Sequence, residues 1–153
     1  MSNEPMKADA PPRLGYWHLW TDADGISHQA RCELTHFEQK RMGGAAPQWN
    51  DTLGRGEASV IFSVQPVGWV GDWHENPAPQ WIVPLSGRWW VESMDGRRVE
   101  MGPGEVSFGE DQGCAQDAAG RRGHRSGTLG DEPARLLIVQ MHRSPIGAAC
   151  HFG

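Results

Sequence analysis

The sequence predicts an all-β fold in one domain, a closed or sandwiched antiparallel architecture, on three observations. Short runs rich in β-branched and aromatic residues recur at regular spacing through the second half of the chain. Turn residues punctuate them: 20 Gly and 11 Pro beside 38% apolar residues suit many short strands joined by tight turns. No helical period lies between the runs. A chain of 153 residues is long enough to bury one real core, and neither a repeat nor a linker divides it.

Residues 1–12 are polar and Pro-rich and lack the apolar stretch of a signal peptide or membrane span, so they are expected to form a disordered arm before a domain over 13–153. Tyr16 to Trp20 reads as a strand. Asp22-Ala23-Asp24-Gly25 is a turn, and the chain returns through Ile26 to His28. Arg31 to Phe37 alternates polar residues with Cys32 and Leu34, the period of a half-buried strand. Lys40 to Gly56 shows no clear period and reads as a loop. Ser59 to Val64 is β-branched and apolar, a strand. Six further strands follow: Gln80 to Leu85, Arg88 to Ser93, Arg97 to Met101, Glu105 to Phe108, His124 to Leu129 and Arg135 to Met141. Ser86-Gly87, Asp95-Gly96, Gly102-Pro103-Gly104 and Gly130 to Pro133 are the turns between them.

Composition narrows the partners. A formal net charge of -5 argues against nucleic acid or a membrane surface, which favour a basic face. Eight Trp are a surplus that suits a concave site or a partner surface. Cys32, Cys114 and Cys150 are odd in number and form no C-x-x-C pair, which reads as reduced thiols in a cytoplasmic protein.

One constellation is more specific. Gly68, His74, Asn76, Gln80 and Gly87 follow the spacing G-x5-H-x-N-x3-Q-x6-G, and Gly104 to Gly109 opens a second glycine-led run. This pattern resembles the two motifs of the cupin superfamily, with Asn76 at the second His position and Gln80 at the Glu position. Glu110-Asp111-Gln112 stands where the family has P-x-G, and His124 takes the closing His position after an insertion. The resemblance spans roughly residues 61 to 141. The runs Trp73-His74-Glu75-Asn76-Pro77 with Gln80, and Gly120 to His124, are also similar to a cupin subgroup without an assigned activity. The resemblance implies a cupin jelly-roll barrel with a small-molecule site at its mouth and a homodimer.

Strand periodicity places the side chains. Residues two apart share a face, so His74 and Asn76 point inward together, with Gln80 entering from the next strand beside Ile82 and Pro84. His124 closes the set from a later strand. Converging polar groups are costly unless they bind a metal, a ligand or water. Cupin sites usually hold a metal through three imidazoles and a carboxylate. Two imidazoles and two neutral amides suit such an ion poorly, so the expected cofactor is none or a weakly bound divalent metal on His74, Gln80 and His124. Asp72 or Glu110 could restore an anionic ligand.

Three functions are open. The leading one is an enzyme moving protons on a small molecule, a lyase, dehydratase or isomerase. His74 and His124 serve as base and acid, with Glu110 from the long Gly109 to Gly123 loop as a third candidate. Asn76 and Gln80 orient a carbonyl or oxyanion, and inward-facing Trp89 and His28 complete the substrate pocket. The others are a metal-dependent cupin such as a dioxygenase, and a non-catalytic binding or sensing module. Trp73, Trp81 and Trp90 are expected on an outward sheet face that a second copy covers.

Overall fold

The computed structural model describes residues 10–153, so the expected arm over 1–12 lies mostly outside the described residues. Eleven strands and no helix make up the described residues. They are β1 (Leu14–Thr21), β2 (Ser27–Leu34), β3 (Glu38–Lys40), β4 (Gln48–Asn50), β5 (Ala58–Gln65) and β6 (Gln80–Ser86). The series continues with β7 (Arg88–Ser93), β8 (Arg98–Met101), β9 (Ser107–Glu110), β10 (His124–Leu129) and β11 (Ala134–Met141). Among the described residues no helix is long and apolar enough to cross a membrane.

The strands form three sheets. A six-stranded mixed sheet runs β2-β1-β9-β6-β11-β5, with β1 and β9 parallel and the other neighbours antiparallel. A three-stranded antiparallel sheet runs β10-β7-β8, and β3 pairs with β4 in a small ribbon. The closed barrel is not formed. β2 and β5 remain as two edges of the large sheet, and the two main sheets face each other across a shared core.

That core follows from strand parity. Leu19, Ile82, Ala134 and Leu136 point from the large sheet onto Trp89, Val91, Val99 and Met101 of the small one. The opposite face of the large sheet is apolar too. Tyr16 and Phe108 pack there with Trp81, Met141 and Phe152, beneath the chain that follows β11. A sheet buried on both faces needs apolar residues at both parities, which explains the Tyr16-Trp17 and Trp81-Ile82 pairs where simple alternation fails.

The tail is fastened by a disulfide between Cys32 and Cys150, whose Cα atoms are 5.3 Å apart. The reading of three reduced thiols is therefore corrected: only Cys114 is free, and it is buried. The two partners lie 118 residues apart, a spacing that gives no sequence signature. Trp81 and Trp90 lie on outward sheet faces as parity predicts, but they do not form the exposed patch expected there. Trp90 is only 5% exposed, with Arg98 4.1 Å and Arg125 5.5 Å from its ring. Trp81 packs on Tyr16, Phe108 and Phe152. Both indoles are covered within the chain.

Candidate functional site

Glu110, the last residue of β9, and Asp111 just beyond it send carboxylates to opposite faces of the large sheet. Asp111 turns inward between the two main sheets, and Glu110 turns outward under the tail. Each becomes the centre of a histidine cluster.

On the inner side the sequence motif assembles around Asp111. Its Oδ2 accepts from His124 Nδ1 at 2.6 Å. Its Oδ1 accepts from the Asn76 backbone N–H at 2.9 Å and the Asn76 amide at 2.8 Å. The chain of amides continues: Gln80 Nε2 donates to Asn76 Oδ1 at 2.7 Å, and Gln140 Nε2 donates to Gln80 Oε1 at 2.9 Å. Burial alone would raise the Asp111 carboxyl, but the charge and hydrogen bond of His124 and the Asn76 donors outweigh it and hold it below the usual range. Asp111 is therefore an anion and can only accept, which fixes the His124 proton on Nδ1. The His124 Nε2 has no protein partner among the described residues.

His74 stands beside it, with ring centroids 4.6 Å apart. Its Nδ1 donates to the Asp72 carbonyl at 2.7 Å, which likewise turns Nε2 into the free nitrogen. His124 is buried and His74 exposed, so the pair opens to solvent at His74. Two glycines permit this approach. Gly123 has a φ of 78°, and a Cβ there would collide with the His74 carbonyl. A Cβ at Gly109 would collide with the Asn76 side chain.

Cys114 closes the cluster on its far side. Its thiol donates to the Asp111 carbonyl at 3.1 Å and lies 3.2 Å from Thr21 Oγ1. Burial and the Asp111 charge push that thiol up, against the Thr21 hydrogen bond, so it stays protonated.

The structure thus brings His74, Asn76, Gln80 and His124 together and leaves the other candidates elsewhere. Glu110 is on the opposite face. Trp89 lies in the core between the sheets, paired across strands with Thr128 and Met101. His28 is held by Asp22 at 2.6 Å and Asp95 at 3.1 Å, stacked on Trp20, outside the cluster. Asp72 contributes its backbone carbonyl to His74. The Gly109 to Gly123 loop is tied down rather than left as a lid: Gln112 bonds the Asn76 carbonyl, Glu75 bonds the Cys114 N–H, and Asp117 pairs with Arg121 at 2.7 Å. Asp111 was the residue the motif did not name. Its parity with Ser107 and Gly109, and the pairing of Gly109 with Gln80, carry the signal.

The donor set at the motif does not fit a metal. Both Asp111 oxygens, Asn76 Oδ1 and Gln80 Oε1 already accept hydrogen bonds, which leaves two imidazole nitrogens where three or four ligands are needed.

The outer cluster is different. Ligand atoms of His18, Glu110 and His151 lie within 4.8 Å of one another and could hold a metal ion. Their hydrogen bonds give them another use. The Cys150 N–H donates to His18 Nδ1 at 3.0 Å, so His18 carries its proton on Nε2 and donates to Glu110 at 3.0 Å. A metal-bound imidazole donates through its second nitrogen instead of accepting there. Glu110 also accepts from His151 at 2.6 Å and from Arg143 and the Ile146 N–H, each at 3.1 Å. Burial opposes ionisation of Glu110, yet His18, the Ile146 N–H and His151 hold its carboxyl below the usual range. Burial, with the Glu110 charge nearby, pushes the Tyr16 phenol up to about 12.

The chain matches no family model, and no curated protein is significantly similar to it.

Proposed function

We propose that this protein is a cupin-type enzyme that moves protons on a small carbonyl compound, with His124 as the catalytic base. The observation that carries this reading is the buried Asp111–His124 pair at 2.6 Å with an unpartnered Nε2. A base oriented by a carboxylate on its other nitrogen is the arrangement general acid–base catalysis needs. Two facing sheets and left-handed turns at Gly68, Gly87 and Gly104 support the cupin part of the reading.

In this mechanism the substrate enters from the His74 side. The His124 Nε2 takes a proton from the carbon beside the carbonyl, and the Asp111 anion stabilises the imidazolium that results. The His124 imidazolium then returns that proton from the same Nε2 to the developing oxyanion, a leaving group or the product carbon. His74, whose bare Nε2 can only accept, orients a substrate N–H or O–H at the entrance. Asn76 and Gln80 act through Asp111 as positioning residues, because their amides are engaged in holding it.

Deuterium exchange tests the reading. A panel of small aldehydes, ketones and 2-oxo acids in deuterated water is expected to show washout of a carbon-bound proton with the wild type and none with His124→Gln. A panel with no exchange would favour a binding or sensing module. Exchange that survives His124→Gln would remove His124 from the chemistry.

A further inference from the structure

The tail that follows β11 covers the outer face of the large sheet without joining it. Residues 143–153 form no strand, and their backbone bonds stay local: the Arg143 N–H donates to Met141, Ala148 to Ile146 and Gly153 to Cys150. Side chains of the sheet hold the tail instead. Glu110 accepts from Arg143, the Ile146 N–H and His151, and His18 accepts from the Cys150 N–H. Phe152 does most of the covering. Its ring centroid lies 5.1 Å from Phe108, 5.6 Å from Trp81 and 6.2 Å from Tyr16. It also stands between two hollows that share Leu53. One, of about 290 Å³, has Trp81 and Met141 in its wall, and the other, of about 370 Å³, has His151 and Phe152.

We propose that the Cys32–Cys150 disulfide is a redox-operated latch on this tail. Once reduced, the tail lifts and the two hollows become one aromatic groove floored by Tyr16, Trp81 and Phe108. Three observations carry the proposal. The first is placement. The cross-link ties the edge strand β2 to a segment outside every sheet, so opening it leaves all strand pairings in place. Every other hold on the tail is a reversible contact, which permits local opening. The second is backbone strain. Cys150 has a φ of 55°, the one positive value at a non-glycine residue among the described residues. A residue with a Cβ adopts that conformation only where its surroundings impose it. Cutting the disulfide lets it relax, and the N–H that Cys150 aims at His18 turns away with it. The third is access. Cys150 is half-buried whereas Cys32 is only 4% exposed, so an incoming thiolate meets the Cys150 sulfur first.

The reductant is a dithiol. One of its thiolates bonds to the Cys150 sulfur as the Cys32–Cys150 bond breaks, and the Cys32 thiolate leaves and takes a proton. The second thiol then closes onto the first reagent sulfur and displaces Cys150. Two electrons and two protons pass from the dithiol to the protein, and the reagent departs as its own disulfide.

Hydrogen exchange read by mass spectrometry tests this on the full chain, oxidised and then treated with dithiothreitol. Reduction is expected to speed exchange of the amides of residues 143–153 by about 30-fold or more, while those of β6 and β9 stay protected. Fluorescence of added anilinonaphthalene sulfonate should rise as the groove opens, with the circular dichroism spectrum unchanged, and reoxidation should reverse both effects. Cys150→Ser should behave as the opened form and ignore dithiothreitol. Phe152→Ala should raise dye binding with the disulfide still closed. A tail that stays protected after reduction overturns the proposal. So does a reduction that releases β6 and β9 together with the tail, or a Cys150→Ser protein that still responds to dithiothreitol.

Discussion

Glu110 and Asp111 are adjacent in the chain, yet their carboxylates bind histidines on opposite sides of the same sheet. Strand parity alone achieves this. Between them the two residues commit a pair of buried negative charges, one to the candidate catalytic histidine and one to the tail.

Replacing the inner carboxylate should separate orientation from folding. Asp111→Asn retains shape but offers an amide where His124 needs an acceptor, so it should lower any His124-dependent rate by about 100-fold or more. It should also cost about 3 kcal/mol of stability through the broken buried network. Urea titration gives the second number and the deuterium exchange rate gives the first.

Acid should unfold the protein through these two groups. Both carboxyls sit below their usual values in the folded chain. The unfolded chain, with values near 3.9 for Asp and 4.3 for Glu, then takes up protons first as pH falls. Their contribution is fully present above about pH 5, declines below it and is lost as pH passes the folded values. Urea midpoints between pH 6 and about 3 should fall accordingly, and Glu110→Gln should flatten that slope.

Thiol counting checks the Cys32–Cys150 link. Denatured, unreduced protein should yield one titratable thiol, Cys114, and the native protein almost none, because that thiol is buried and its pKa raised. Cys150→Ser should cost about 2–4 kcal/mol, as expected for a cross-link closing a long loop.

Gly123→Ala should be among the most damaging small changes. The residue combines a left-handed backbone with contact against the His74 carbonyl, so a loss of at least about 2 kcal/mol is expected. The His74–His124 ring pair should separate with it, readable as a shift in the two imidazole NMR signals.

Much of the strand plan was legible in the sequence. The inward parity of Gln80, Ile82 and Pro84, and of Trp89 and Val91, is observed. Local alternation encodes those features. The strand predicted over Glu105 to Phe108 instead covers Ser107–Glu110, and that two-residue displacement hid Asp111 from the site. The β3–β4 ribbon lies where Gly and Pro mask a short pairing. Parity also places Trp90 outward, as observed, but it does not foresee that two arginines cover an outward indole as effectively as another sheet does. The His18–Glu110–His151 cluster joins residues 18, 110 and 151, a nonlocal meeting that no spacing rule announces.

The outer layer also sets an order of events during synthesis. Tyr16 and Cys32 emerge early, but the residues that cover and cross-link them are Cys150, His151 and Phe152. Until residue 152 has left the ribosome, Tyr16, Phe108 and Trp81 lack their cover, and β2 has no partner for its thiol. Between the emergence of Phe108 and that of Phe152 the nascent chain therefore carries an unfinished aromatic surface, the condition in which a holding chaperone has the most to bind.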